Sequence, residues 1–486
     1  MGVIRKQSIS NSIIFYLGMT IGAINTVLIY PNVFNDQPEH WGLIQLIVAY
    51  GLVLSTFTSF GIPKVLLKFF PTYRDKSKLL TYSLLIPSFG LISVFIIYLF
   101  FKNEIFIAFK MDPLLQENFI YVFVLIFCIS FYEIFSALSR SFLDAITPVV
   151  LNEFFLKSYT LIILLFHGFK FIDFSTFLIL YISGYLIKLF ILSIINFYNK
   201  RLSFTLKLSD LNYSELFKFG LYVFAGGLSI MIVTRLDMLM IGYLLDLEQV
   251  AFYTLAFYIG NAIAIPGRSV ISISVPLISK AWENQDIKEI DMIYSKSAIN
   301  QLIVSGLLFL VVWLNIDDVL SLLPEKFSYG KWVVFYIGLA QLVNMSCGVN
   351  GAIIVNSKYY KYDLYTNLIL LAITVLLNFL LIPIFGIDGA AMATAFSIIF
   401  FNLIRLIIIY NKIQIQPFSL KTLLTIILLI LVYLICFKLD FNNVFLSIAV
   451  KTILSATLFI SICIKANLSD DINKLISDVY LRIFKK

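Results

Sequence analysis

Two histidines and four cysteines in 486 residues leave almost nothing from which a histidine- or thiolate-based metal site or catalytic cluster could be assembled. His40 and His167 fall in separate predicted loops. Cys128, Cys347, Cys436 and Cys463 lie singly inside apolar runs, without paired or metal-ligand spacing, and read as small core residues. No metal and no other cofactor is expected. Charge is also scarce, at 13% of residues against roughly a quarter in a soluble domain. The sequence has no glycine-rich phosphate loop, no nucleophile elbow and no metal-ligand spacing.

Apolar length is abundant. The chain is 60% hydrophobic with a mean hydropathy of +0.95, which marks an integral membrane protein. Runs long enough to span a bilayer lie near 8–30, 42–66, 79–101, 117–139, 147–168, 174–197, 215–244, 250–279, 296–323, 332–355, 363–384, 387–411, 419–438 and 443–464, fourteen in all. They are too long for barrel strands and lack alternation, so the fold class is all-α and polytopic. Arg5 and Lys6 precede the first run and no small-residue cleavage site follows it, which predicts a retained helix rather than a signal peptide.

The net charge of +8 would point to nucleic acid in a soluble chain, but here its distribution matters more than its sum. With the N-terminus inside, only Lys102, Lys110, Lys170, Lys326, Lys331 and Lys438 fall outside. Lys157, Lys188, Arg235, Arg268 and Lys451 lie within spans, and the other 25 of the 36 Lys and Arg fall in inside segments or at inner helix ends. Both termini are therefore expected in the cytoplasm, and no nucleic-acid partner is expected. The tail from Ser469 carries Ile472, Leu475, Ile476, Val479, Tyr480 and Ile483 on one helical face, the pattern of an interfacial helix on an anionic leaflet.

A faint internal repeat sets the organisation. The turn PEHWGLIQL from Pro38 matches LEQVAFYTL from Leu247, each between an apolar helix and a second helix with an internal proline (Pro63, Pro266). The offset is about six helices, so the halves share one orientation. This divides the chain into a six-helix bundle at 1–200, a second at 201–412, and two extra helices with the tail at 413–486. Arg235 falls opposite Thr26 and Arg268 opposite Ser59, so these cations belong to the second half alone.

Arg235 and Asp237 sit inside a spanning run, where each charge costs roughly 2.5 to 3.5 kcal/mol near the bilayer centre, and a functional role is the default reading. Residues two apart on a helix do not face each other, so the pair is not expected to neutralise itself. Arg235 and Arg268, on neighbouring helices, are the expected substrate-binding cations: a guanidinium fork matches phosphate oxygens and keeps its charge. Glu153 with Lys157 and Arg140 with Asp144 have the spacing of same-helix ion pairs. Glu133 has no partner at that spacing and, with Asp237, is the candidate for ion coupling. Lys188 and Lys451 receive no role. Asn25, Gln45 and Asn261 are candidate polar lining residues, able to hydrogen-bond sugar hydroxyls.

The run TRLDMLMIGYLLDLEQVAFYTLAFYI and the later pattern Asn378, Pro383, Gly386, Gly389, Ala390, Ala391 resemble the seventh and eighth helices and the eleventh-to-twelfth hairpin of polysaccharide exporters of the Wzx type. These belong to the multidrug/oligosaccharidyl-lipid/polysaccharide (MOP) superfamily. The resemblance implies a MATE-like fold of about fourteen transmembrane helices in two bundles. It also implies a flippase, not an enzyme, that moves an undecaprenyl-pyrophosphate-linked oligosaccharide, the repeat unit of O-antigen or of a capsule or exopolysaccharide, across a bacterial plasma (inner) membrane by alternating access. H⁺ or Na⁺ is the implied coupling ion, and membrane lipids are the other partners. Two alternatives compete. A multidrug antiporter of the same fold should carry an acidic or neutral cavity. A membrane polymerase or glycosyltransferase should carry a large outer loop or outer carboxylates, for which only Asp36, Glu39 and His40 are available.

Overall fold

The computed structural model describes residues 2–205, 211–439 and 441–474. Among them every regular element is helical, as hydrocarbon demands of a backbone that must satisfy its own hydrogen bonds. The long helices are α1 (Ile13–Val33), α2 (Pro38–Ser59), α3 (Lys76–Ala108), α4 (Ile120–Ser141), α5 (Ile146–Gly168), α6 (Phe174–Tyr198), α7 (Tyr213–Leu244), α8 (Leu247–Glu283), α9 (Ile287–Leu314), α10 (Lys331–Ser346), α11 (Lys361–Ile413), α12 (Leu420–Cys436) and α13 (Val444–Lys465). Side-chain caps start several of them. Asp75, Asp173 and Asp286 accept from the N–H groups of Ser77, Thr176 and Glu289 at 3.1, 3.1 and 2.9 Å.

By length and apolar composition ten of the described helices can cross a membrane, and eleven if α7, bent by 42° between Ser229 and Met231, is included. Fourteen is not reached on that measure. α11 carries two of the expected runs in one 53-residue element, and α10 and α12 are only 16 and 17 residues long. Within α11 the break falls at Gly386 (φ 59°, ψ −136°), a backbone conformation essentially confined to glycine, inside the turn expected from Pro383 to Gly389.

The described residues form two compact units, Met1–Thr254 and Leu255–Lys486. In the first, α2 packs on α4 and α7, and α6 packs on α4 and α5. α1 closes against the π-helical stretch Val150–Phe155 at the start of α5. A Cβ on Gly18 would lie 2.2 Å from the Glu153 carbonyl oxygen, so glycine is what lets these two backbones meet. Trp41, Ile44, Ile47, Leu125 and Tyr253 are wholly buried in this unit. In the second unit α9 packs on α8, α10, α12 and α13, and α10 on α11. Its core holds Ile278, Tyr294, Ile353 and Ile409, with a further cluster of Leu310, Val432 and Phe459.

Phe100, Phe190, Ile384 and Leu420 are 65 to 78% exposed, an outward apolar surface that suits acyl chains and would be a liability in water. The chain is a multi-pass membrane protein. Of the expected amphipathic tail, Leu475 to Ile483 lie outside the described residues.

Candidate functional site

The site is found by asking which intramembrane cations have been neutralised. Lys157 bonds Glu153 at 2.8 Å, one turn away on α5, as its spacing predicts. Lys451 on α13 bonds Asp318 at 2.8 Å, and Ser447 donates to the same carboxylate. Arg405 on α11 pairs with Asp363 at the start of the same element, with its guanidinium 4.1 Å from the Phe401 ring centroid. It is 8% exposed and thus no aqueous helix-end charge, which is how its position near the inner end of a run makes it read. These three cations are structural.

Arg235 is different. It is partly buried on α7, and its Nε is buried with no hydrogen-bond partner. Tyr185 and Tyr181 of α6 are its electrostatic neighbours, and among the described residues no carboxylate pairs with it. Asp237, two residues along and 6% exposed, instead accepts a hydrogen bond from Tyr253 Oη at 2.5 Å. The two charges therefore do not cancel, as their spacing on the helix requires. Arg268 stands exposed on α8 in the second unit.

A second intramembrane cation in the first unit, Lys188, also forms no ion pair among the described residues. Lys188 on α6 is 4% exposed, and its Nζ donates to Asn152 Oδ1 at 2.9 Å. The ammonium also lies 4.4 Å from the Tyr132 ring centroid and 4.8 Å from that of Tyr185. Aromatic faces stabilise a cation without cancelling its charge. The acids nearest to it electrostatically, Glu133 and Glu153, are both engaged elsewhere, with Arg140 at 3.7 Å and with Lys157. Sequence patterning gives Lys188 no role, though one signal is there: α6 contains no acidic residue at all.

Two sequence expectations need correction. Glu133 is not without a partner: it is 51% exposed and meets Arg140 two turns along α4. Arg140 does not pair with Asp144, because α4 ends at Ser141 and Leu143 turns left-handed (φ 61°), which takes residue 144 off the helical face. Asp144 instead bonds Arg201, beyond the end of α6, at 2.9 Å. Burial raises the affinity of that carboxyl for a proton, but the Arg201 guanidinium and the Thr147 N–H outweigh it and hold its pKa below the usual carboxylate range.

The polar candidates divide. Asn25 is buried in the π-helical part of α1 and donates to the Lys157 carbonyl at 2.9 Å, tying α1 to α5. Gln45 is half-buried on α2. Asn261 accepts from Gln341 at 3.0 Å. Asn350, Asn402 and Asn344 form a chain of amide bonds at 2.9 and 3.1 Å in the second unit; Asn350 and Asn402 are members that sequence patterning does not single out. Among the described residues no three His, Cys, Asp or Glu side chains gather as metal ligands. His40 is stacked on Phe174 at 3.7 Å.

The helical, multi-pass fold has known counterparts. The inward-facing structure of a multidrug resistance MATE family transporter of the MOP superfamily is similar with a TM-score of 0.64 and 12% identity, over 82% of this chain and 98% of that one. The bent conformation of a MATE protein gives 0.54 and 14%, over 84% and 95%. A mutant of the Vibrio cholerae MATE transporter VcmN gives 0.54 and 12%, over 85% and 98%. The fold is thus MATE-like. No curated protein sequence matches the chain. The profile of the family described as polysaccharide biosynthesis protein matches residues 4–282, more than half of the chain, and the chain belongs to that family.

Proposed function

We propose that the chain is a flippase that carries a lipid-linked oligosaccharide, an undecaprenyl-pyrophosphate-bound repeat unit of O-antigen, capsule or exopolysaccharide, from the inner to the outer leaflet of a bacterial plasma membrane. The observation that carries this reading is Arg235, a guanidinium left without a carboxylate among the described residues of a membrane protein in a polysaccharide-biosynthesis family. A cation kept uncompensated at a cost of some kcal/mol is accounted for by an anionic ligand that completes it. Arg268 is proposed as the corresponding cation of the second unit. Movement is by alternating access, with both termini cytoplasmic. The division into 1–200, 201–412 and 413–486 rests on the repeat. Coupling to H⁺ or Na⁺ is assigned to Asp237, buried with Tyr253, ahead of the half-exposed Glu133.

The test is surface glycan in cells that depend on this chain. Arg235→Ala and Arg268→Ala are expected to abolish it at wild-type abundance of inserted protein, and normal glycan in both variants would remove the proposal. A second reading, a multidrug antiporter, is favoured by one observation, the buried carboxylate of Asp237. It predicts drug resistance that depends on Asp237 and is indifferent to Arg235.

A further inference from the structure

A groove opens in the second unit between α10 and α12, both of which pack on α9. It has a volume of about 320 Å³ and is lined by Phe309 and Trp313 of α9, Phe335 and Leu342 of α10, and Ile430 and Tyr433 of α12. Gly306 lets α12 come close to its floor, since a Cβ there would lie 2.8 Å from Leu429 Cδ1. From Lys331, in the first turn of α10, down to Leu342 the wall rises about 16 Å, half of the roughly 30 Å hydrocarbon layer. The groove therefore has the depth of one leaflet, which is the reach of an acyl chain.

One end of the groove carries a charge of each sign. Lys331 Nζ meets Asp317 Oδ1 at 2.7 Å and Oδ2 at 2.8 Å, and it lies 5.5 Å from the ring centroid of Trp313, a groove residue. Phe335 and the half-exposed Trp332 pack against the same ring, at 4.7 and 5.8 Å. Tryptophan beside lysine at a helix end suits the boundary between hydrocarbon and headgroups. The two acids of this corner face opposite ways. Asp318 takes Lys451 and Ser447, whereas the Asp317 side chain is 73% exposed and presents its carboxylate, with Lys331, where a headgroup would lie.

We infer that this groove binds one acyl chain of a phospholipid with an ethanolamine headgroup, whose phosphate bonds Lys331 and whose primary ammonium bonds Asp317. Headgroup and ion pair each carry one charge of each sign, so they exchange partners and no charge is left alone. A primary ammonium has N–H groups to give a carboxylate, which a choline headgroup lacks. Choline is recognised instead by an aromatic face, and that of Trp313 already has Lys331 beside it. A glycerol headgroup satisfies Lys331 but sets its phosphate against Asp317. The same repulsion, doubled, opposes a prenyl diphosphate, so the inference stands apart from the anion-binding role proposed for Arg235.

Native mass spectrometry of the full chain in detergent, titrated with dioleoyl phosphatidylethanolamine, phosphatidylcholine and phosphatidylglycerol, tests this. The wild type is expected to hold one phosphatidylethanolamine about tenfold tighter than either of the others, the worth of one charge-assisted hydrogen bond. Asp317→Asn keeps the shape of an exposed side chain, and should abolish the preference over phosphatidylcholine while tightening phosphatidylglycerol. Lys331→Met should weaken all three lipids. Leu342→Trp fills the groove and should weaken all three with their ratios kept. A wild type that binds the three alike or prefers phosphatidylglycerol overturns the inference, as does a preference that survives Asp317→Asn. Phosphatidylethanolamine binding unmoved by Lys331→Met or by Leu342→Trp also overturns it. Geranylgeranyl diphosphate bound more tightly than phosphatidylethanolamine would give the groove to a prenyl chain instead. A purely structural pair would lower thermal stability in Asp317→Asn and Lys331→Met and leave the lipid ratios unmoved, which again overturns the inference.

Discussion

Replacing Arg235 with Met should leave the fold at least as stable as before, which separates a ligand-binding cation from a structural one. Met fills about the same length of side chain and removes a guanidinium that has no carboxylate among the described residues and an orphaned Nε. A lone Arg at the centre of a membrane helix costs roughly 2.5 to 3.5 kcal/mol. Partial exposure of Arg235 discounts that, so the variant should gain about 1 to 2 kcal/mol. Lys451→Met is the matched control. Lys451 is 9% exposed and Asp318 13%, and removing one partner strands a buried carboxylate at a cost of about 3 to 5 kcal/mol. Asp318→Asn in the same chain should recover much of that loss. The assay is unfolding in detergent followed by tryptophan fluorescence, with surface glycan measured in parallel. Arg235→Met should unfold no earlier than wild type and yet lose glycan, whereas Lys451→Met should unfold early. A loss of about 3 kcal/mol or more in Arg235→Met, matching Lys451→Met, would show Arg235 to be structural and refute the reasoning.

Other outcomes follow from single contacts. Tyr253→Phe removes the donor at 2.5 Å from Asp237 and should cost about 1 to 3 kcal/mol while shifting the pH or Na⁺ dependence of transport, measured in vesicles with an imposed gradient. An unchanged ion dependence would take Asp237 out of the coupling role. The Asp144 carboxyl, held below the usual range in the folded chain, contributes stability that is present above the unfolded carboxylate value and is lost as pH falls through the lower folded one. Arg201→Met should therefore cost about 1 kcal/mol at neutral pH, and that difference from wild type should shrink as pH falls below about 4 and vanish below the folded value, as read from denaturation midpoints against pH. Gly386→Ala forces a side chain into φ 59°, ψ −136° and should cost about 1 to 3 kcal/mol, with lower thermal stability in detergent as the readout.

Helices, and the class of protein, are legible in the sequence because a spanning segment advertises itself by length and composition alone. The break at Gly386 is legible because proline and glycine mark a turn whatever surrounds them. The Glu153–Lys157 pair follows from spacing within one helix. What sequence does not supply is the partners brought together by tertiary packing. Arg405 finds Asp363 across 42 residues, and Lys451 finds Asp318 across 133. Arg140 and Asp144 mislead because the helix stops between them. Lys188 escapes notice because a lone lysine in an apolar run looks like a group that will snorkel or pair, and only the packing of α6 against α4 and α5 reveals that it does neither.

These pairings also bear on the sign of the substrate. Three of the intramembrane cations consume three carboxylates, which removes those acids as direct ligands for a positively charged molecule, whereas Asp237, bonded to the Tyr253 phenol, keeps its charge. Besides Asp237, the described residues of the first unit hold two intramembrane cations that form no ion pair, Arg235 and Lys188, each beside tyrosines. A binding site for cationic drugs would have to assemble around that surplus and against its repulsion. An anionic headgroup is attracted by it, and the tyrosine hydroxyls beside it are suited to the hydroxyls of an attached sugar.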